Sequence, residues 1–267
     1  MDKTEHSGIV IMDFSGIYEK EQFWKDEKAS WINLRELSGT NCYCDGEAFE
    51  VLRKKIAGFP AGGIHFIDSG NYHYMSRIWL EKLENPFCLL VFDNHTDMQP
   101  PAFGGLLSCG GWIASVLEEL ENLKKVFLVG PDEAAYDQVD IQLKEKVRFV
   151  SREDLMRLRS CEGGIDGAAA CFFRELSGNL PLYISIDKDV LCKKAAVTAW
   201  SQGDMSLEEL KGWLEKAFLW ARERDGEIAG VDICGEQSPE EGMFSLLNDK
   251  ANRELLELIK RGALFEK

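Results

Sequence analysis

Asp93, His95 and Asp97 are the residues of this chain best suited by type and spacing to do chemistry. They lie in Phe92-Asp93-Asn94-His95-Thr96-Asp97, directly after the apolar run Phe87-Cys88-Leu89-Leu90-Val91-Phe92. Such a run, with Pro86 before it and polar residues after, reads as a buried strand. On an extended backbone alternate side chains point the same way. The spacing therefore gathers two carboxylates and an imidazole at one strand end. Burying that charge without a partner is costly. A divalent cation is the simplest partner, and mixed oxygen and nitrogen donors suit manganese, zinc or iron. For one aspartate alone, a helix N-cap or a polar loop would explain as much.

A second pair, Asp187 and Asp189, has the same spacing and follows the apolar run Leu182-Tyr183-Ile184-Ser185-Ile186. Four carboxylates and one imidazole can hold two divalent ions that share bridging carboxylates.

The fold has to bring these clusters together. Strands are expected over residues 8–14, 64–68, 87–92, 126–130, 147–150, 182–186 and 228–234. Helical spacing appears over 46–56, 74–83, 112–123, 152–158, 166–176, 206–223 and 250–260. Ser206-Leu207-Glu208-Glu209 has the form of a capping box. The stretch holding Trp24 and Trp31 shows no clear period. This alternation argues for an α/β fold, three layers α/β/α around a mostly parallel central sheet. In such sheets ligands bind at the carboxyl ends of the strands. Asp93, Asp187, Ser69-Gly70-Asn71 and Glu236 all fall just past apolar runs, so they can share one sheet edge. No repeat or linker divides the chain, and one domain over residues 1–267 is expected.

The formal net charge of −15 argues against nucleic acid and anionic membranes as partners. No stretch reaches the ~20 apolar residues of a membrane span. The start of the sequence carries no signal-peptide run, so a cytoplasmic protein with reduced thiols is expected. Cys42-Tyr43-Cys44 lacks the second close pair of a zinc knuckle. The glycine-rich stretch Gly104–Gly111 lacks the Lys-Ser/Thr ending of a phosphate-cradling loop. A triad hydrolase is disfavoured by the absence of a Gly-x-Ser-x-Gly elbow.

From about Ile64 to Glu236 the sequence resembles the ureohydrolases: arginase, agmatinase and formiminoglutamase, within the arginase–deacetylase superfamily. Their Asp-x-His-x-Asp segment is matched by Asp93-Asn94-His95-Thr96-Asp97. Their Ser-x-Asp-x-Asp segment is matched by Ser185-Ile186-Asp187-Lys188-Asp189. Their Gly-Gly-Asp-His segment has its nearest match in Ser69-Gly70-Asn71-Tyr72-His73.

The resemblance implies one ion held by His73, Asp93, Asp97 and Asp187, and another by Asp93, His95, Asp187 and Asp189. Asp93 and Asp187 would bridge. The ions are usually manganese and acidify a bridging water. The hydroxide attacks a guanidinium or formimidoyl carbon, and Asp97 relays the proton to the leaving amine. The implied substrate is a small guanidino or amidino compound, and a homo-oligomer is common among such proteins. An acid on the last strand pairs with the guanidinium. Glu236 is the candidate, although it stands one residue further from Asp232 than the family spacing; an exposed loop acid is the equal alternative.

Three departures stand out. A His-Gly in the loop after the first motif is replaced by Cys109-Gly110. Cys109 is a small loop residue, a substrate-contacting thiol, or a sign that the usual proton shuttle is missing. The Asp-Pro and Gly-x-Gly-x-Pro run after the second motif is absent. Val190-Leu191-Cys192 and Thr198-Ala199-Trp200-Ser201-Gln202-Gly203 stand there instead, with Trp200 and Gln202 as candidate pocket residues. The Gly-Gly-Asp-His segment itself is altered. Two other readings stay open: a deacetylase-like amidohydrolase with one zinc, and a catalytically silent metal-binding protein on the same scaffold.

Overall fold

The computed structural model describes residues 8–100, 105–160, 164, 167, 169, 172–173, 180–224, 226–237 and 246–263. An eight-stranded sheet runs through the molecule in the order β2-β1-β4-β10-β9-β5-β7-β8, with every pairing parallel. The strands are β1 (Ile9–Asp13), β2 (Ala29–Asn33), β4 (Ile64–Phe66), β5 (Phe87–Phe92), β7 (Leu123–Val129), β8 (Val147–Val150), β9 (Leu182–Asp187) and β10 (Ile228–Cys234). A separate antiparallel pair joins β3 (Tyr43–Cys44) to β6 (Leu107–Ser108).

β5 shows why the sheet is central. All six of its residues are buried. Leu90 and Phe92 belong to the core on one face, Leu89 and Val91 to the core on the other. A strand covered on both faces reads as an unbroken apolar run because both sets of alternate side chains are buried. One face carries α7 (Leu207–Glu223) and α8 (Leu246–Gly262), whose Trp213, Leu214, Leu255 and Ile259 join the Phe92 side. The other carries α1 (Gly46–Ile56), α2 (Met75–Leu80) and α3 (Trp112–Glu119) through Leu52, Trp79 and Ile113. The smaller helices α4 (Glu133–Asp137), α5 (Ile141–Lys144) and α6 (Arg152–Arg159) flank β8 in sequence. The expected capping box is present: Ser206 accepts from the Glu209 amide, and the Glu209 carboxylate accepts from the Ser206 amide. Among the described residues no helix is long and apolar enough to cross a membrane.

Several boundaries differ from the sequence expectation. Helix α3 stops at Glu119 instead of running to 123, because Leu120 takes an extended conformation and Leu123 begins β7 beside Phe87. Strand β2 lies inside the stretch that shows no clear period. It is an edge strand with only Ile32 buried, so no alternation marks it. The glycine-rich stretch contains β6, whose pairing with β3 ties it to the Cys42-Tyr43-Cys44 segment. The helix expected over 166–176 falls largely outside the described residues; Ala169, Phe172 and Phe173, which are described, are buried in the core.

Candidate metal centre

Four adjacent central strands, β4, β10, β9 and β5, deliver the acid clusters to one edge. β5 ends into Asp93, β9 ends at Asp187, and the residues after β4 lead to His73. The Ser69–Glu236 bridge extends the β4–β10 pairing past the strand ends. The structure thus brings His73, Asp93, His95, Asp97, Asp187 and Asp189 together around one cleft of about 230 Å³. Cys42, Tyr43, Gln99, Ser108, Cys109 and Trp200 form its outer walls.

His73 is buried, and its Nδ1 points into the acids. It stands 3.2 Å from Asp93 Oδ2, 3.1 Å from Asp97 Oδ2 and 3.6 Å from Asp187 Oδ2. The orientation is set from behind. Ser185 Oγ donates to Asp232 Oδ1 at 2.6 Å. Its single proton is then used, so at 2.9 Å it accepts from His73 Nε2–H. This leaves Nδ1 facing the carboxylates. Trp112 Nε1 donates to Asp97 Oδ2 at 2.7 Å and fixes that carboxylate. Asp97 itself sits at φ 48, a left-handed conformation uncommon outside glycine and often retained at functional sites.

His95 is more open. Its Nδ1 lies 2.8 Å from Asp189 Oδ2 and 3.5 Å from Asp93 Oδ1. Its Nε2 lies 2.8 Å from Ser201 Oγ. Asp93 therefore shows one oxygen to each imidazole. Asp187 does not: its Oδ2 faces His73, while its Oδ1 accepts from the Asp189 amide at 2.8 Å. Of the two expected bridges, Asp93 has the geometry of one and Asp187 leans to the His73 side.

Buried carboxylates this close repel each other. Burial and the Asp189 and Asp93 carboxylates push Asp187 up to about 7. Burial and Asp93 push Asp189 up to about 7 as well. Burial pulls the His95 imidazole down, but Asp189 and Asp93 outweigh it and hold it up at about 12. The cluster calls for positive charge. Protonated imidazoles supply some, but two buried atoms, His73 Nδ1 and Asp93 Oδ2, face each other without a hydrogen bond. Orphaned donors and acceptors of this kind are expensive unless an ion lies between them. Three donor triads, His73–Asp93–Asp97, Asp93–His95–Asp189 and His73–Asp187–Cys234, each have ligand atoms within 4.8 Å of one another. A cation fits this donor set.

Glu236 is not part of the cleft. It is fully buried in a separate cluster, where it pairs with Lys188 and accepts from Asn252 Nδ2 at 2.8 Å and Asn248 Nδ2 at 2.7 Å. Gly235, at φ 88, breaks the alternation that would have carried Glu236 to the site. A Cβ there would stand 2.3 Å from Asp187 Oδ1, so only glycine fits against that carboxylate. Glu21 joins the same cluster, and burial with the Glu236 carboxylate pushes it up to about 9. Gln202 is likewise structural: its amide donates to the Leu191 and Ala196 carbonyls, both at 3.0 Å. Trp200 does line the cleft and donates from Nε1 to Asn71 Oδ1 at 2.8 Å. Burial and the Asp97 carboxylate push the Cys109 thiol up.

Sequence reasoning gave no supporting role to Ser185, Asp232, Trp112, Ser201 or Cys234, although Ser185 opens the Ser-x-Asp-x-Asp match. Period-two spacing gave a signal for two of them: Ser185 stands two before Asp187, and Cys234 two after Asp232. The rest depend on contacts between distant segments.

The sequence profile of the arginase family matches residues 40–240. The chain belongs to the arginase family. An uncharacterized protein of Thermotoga maritima is 31% identical over 266 residues, covering 97% of this chain and 90% of that one. Among solved structures, this arginase-family chain is similar to proclavaminate amidino hydrolase from Streptomyces clavuligerus, with a TM-score of 0.68 at 17% identity over 98% of this chain and 94% of the other. It is also similar to formiminoglutamase with Mn2+ from Trypanosoma cruzi, with a TM-score of 0.64 at 14% identity over 96% and 94% of the two chains. At these identities the two structures establish the common fold.

Proposed function

We propose that this arginase-family chain is a hydrolase with two divalent ions, most simply manganese, that cuts a linear C–N bond in a small guanidino or amidino compound. The observation that carries this reading is the orphaned pair His73 Nδ1 and Asp93 Oδ2, buried beside two further carboxylates, Asp97 and Asp187. His73, Asp93, Asp97 and Asp187 would hold one ion; Asp93, His95 and Asp189 the other. The manganese in the Trypanosoma cruzi formiminoglutamase supports the choice of metal. The ions, when bound, supply Lewis acidity that makes water a nucleophile near neutral pH and polarises the substrate.

The chain's own residues supply the rest. Ser185 and Asp232 hold His73 in one tautomer, which keeps the ligand nitrogen pointed inward. Trp112 fixes Asp97 through Oδ2, leaving Oδ1 to take the proton from the attacking water and return it to the leaving amine. Trp200 closes one wall over His95, with ring centroids 5.9 Å apart, and narrows access for bulk water. Glu236 has no part in binding the substrate.

The test is elemental analysis of protein produced with manganese and desalted, followed by a screen of guanidino and amidino compounds for release of urea, formamide or ammonia. Two ions per chain, with turnover abolished by a chelator and restored by manganese, is the expected result. One tightly held zinc with activity on acylated amines would replace this reading by a deacetylase-like one. A chain that takes up no ion would overturn it.

A further inference from the structure

Among the donor triads of the described residues, Cys234 is the one member that the two-ion ligand set does not use. It ends β10 and is paired in register with Asp187 on β9, so the two side chains leave neighbouring strands side by side. It is fully buried. Its Sγ stands 3.2 Å from Asp187 Oδ2, the oxygen that faces His73 Nδ1 at 3.6 Å. All three donor atoms lie within 4.8 Å of one another. Donors sharing one ion at about 2.0–2.3 Å stand roughly 3–4 Å apart, and the Cys234–Asp187 and Asp187–His73 spacings fall in that range. The second observation is His73 Nδ1 itself, buried, without a hydrogen bond and aimed into this triad.

We infer that the Cys234 sulfur is a ligand of the ion on the His73 side and gives that half a preference for thiophilic cations. The inference rests on the two-ion reading. Thiolate favours zinc, cobalt or ferrous iron, whereas carboxylate and imidazole alone suit manganese as well. The two halves of the centre then differ in chemistry: nitrogen, oxygen and sulfur donors around His73, nitrogen and oxygen donors around His95. On binding, the ion takes the place of the thiol proton that Asp187 otherwise accepts.

Cobalt(II) provides the test, because a cobalt–thiolate bond gives a charge-transfer band in the near ultraviolet that carboxylate and imidazole do not. The full chain, stripped of metal and reloaded with two cobalt ions, should show the band. Cys234→Ser should bind two cobalt ions without it, whereas Cys109→Ser, which removes the thiol lining the cleft, should keep it. In competition, Cys234→Ser should lower the preference for zinc over manganese by at least about tenfold. Wild-type protein holding two cobalt ions without the band would overturn the inference and leave the two-ion reading standing, and this needs no variant to fold. A band lost in Cys109→Ser but kept in Cys234→Ser would overturn it too. A wild-type chain that binds no cobalt would overturn both.

Discussion

The two halves of the candidate centre are built differently. The His73 half is sealed: His73 is 1% exposed, Ser185 and Asp232 back it from within the sheet, and Trp112 pins Asp97. The His95 half is open: His95 is 31% exposed, and its outer nitrogen rests on Ser201 in the loop after Asp189. One half is fixed by strands and the core. The other is fixed by the segment Thr198–Gly203, where the sequence departs from other ureohydrolases. A site divided this way can keep its metal chemistry constant on the buried side while the exposed side adapts to what enters the cleft.

The largest expected effect comes from removing the residue that faces both halves. Asp93→Ala should reduce the bound ions from two to none. Asp187→Ala should leave the ion at His95, because Asp187 turns Oδ2 to His73 and is not a member of the Asp93–His95–Asp189 donor triad. Metal content per chain decides this; retention of both ions by Asp93→Ala would refute the bridging geometry.

Next in size is the contrast between supports. Ser185→Ala removes the partner that sets the His73 tautomer and should weaken the His73-side ion by roughly 10–100-fold. Ser201→Ala touches the exposed half, where water can replace the hydroxyl, and should weaken its ion by less than about tenfold. Stepwise metal titration separates the two. Equal losses would mean that the sealed and open halves are not distinct.

The smallest effect is in pH. Asp187 and Asp189, both at about 7 without a cation, are largely protonated at lower pH. An ion must displace those protons, so affinity should rise steeply between about pH 5 and pH 7. Above that the imidazole protons and the Cys234 thiol proton remain to be displaced but the two carboxyl protons do not, and the slope should ease. Equilibrium dialysis across this range checks the sign; affinity that falls as pH rises would contradict it.

Much of this was legible in the sequence. The apolar runs before Asp93 and Asp187 are the buried strands expected of them, but the period-two rule does not describe the donors themselves: β5 ends at Phe92, Asp97 is left-handed and a 3-10 turn begins at Lys188. Alternation of strand and helix fixed the layered fold. Strand β2 was hidden because it buries only Ile32, and Ala29-Ser30-Trp31-Ile32-Asn33 shows neither an unbroken apolar run nor a clean alternation. Glu236 misled because its position just past β10 is local information, while its direction is set by Gly235 and by Lys188 waiting in the core. Lys188 itself, between two ligand candidates, begins a 3-10 turn after β9 and pairs with Glu236 in the core, away from the cleft.

The sequence by itself determined the donor types, their spacing and the strand ends that carry them, because those follow from backbone geometry over a few residues. Only the tertiary structure decided which donors meet. Strand order places β10 between β4 and β9, and that order sets Cys234 against Asp187 and Asp232 behind Ser185. Neighbours across a parallel sheet are separated by whole crossover connections, so no local pattern records them.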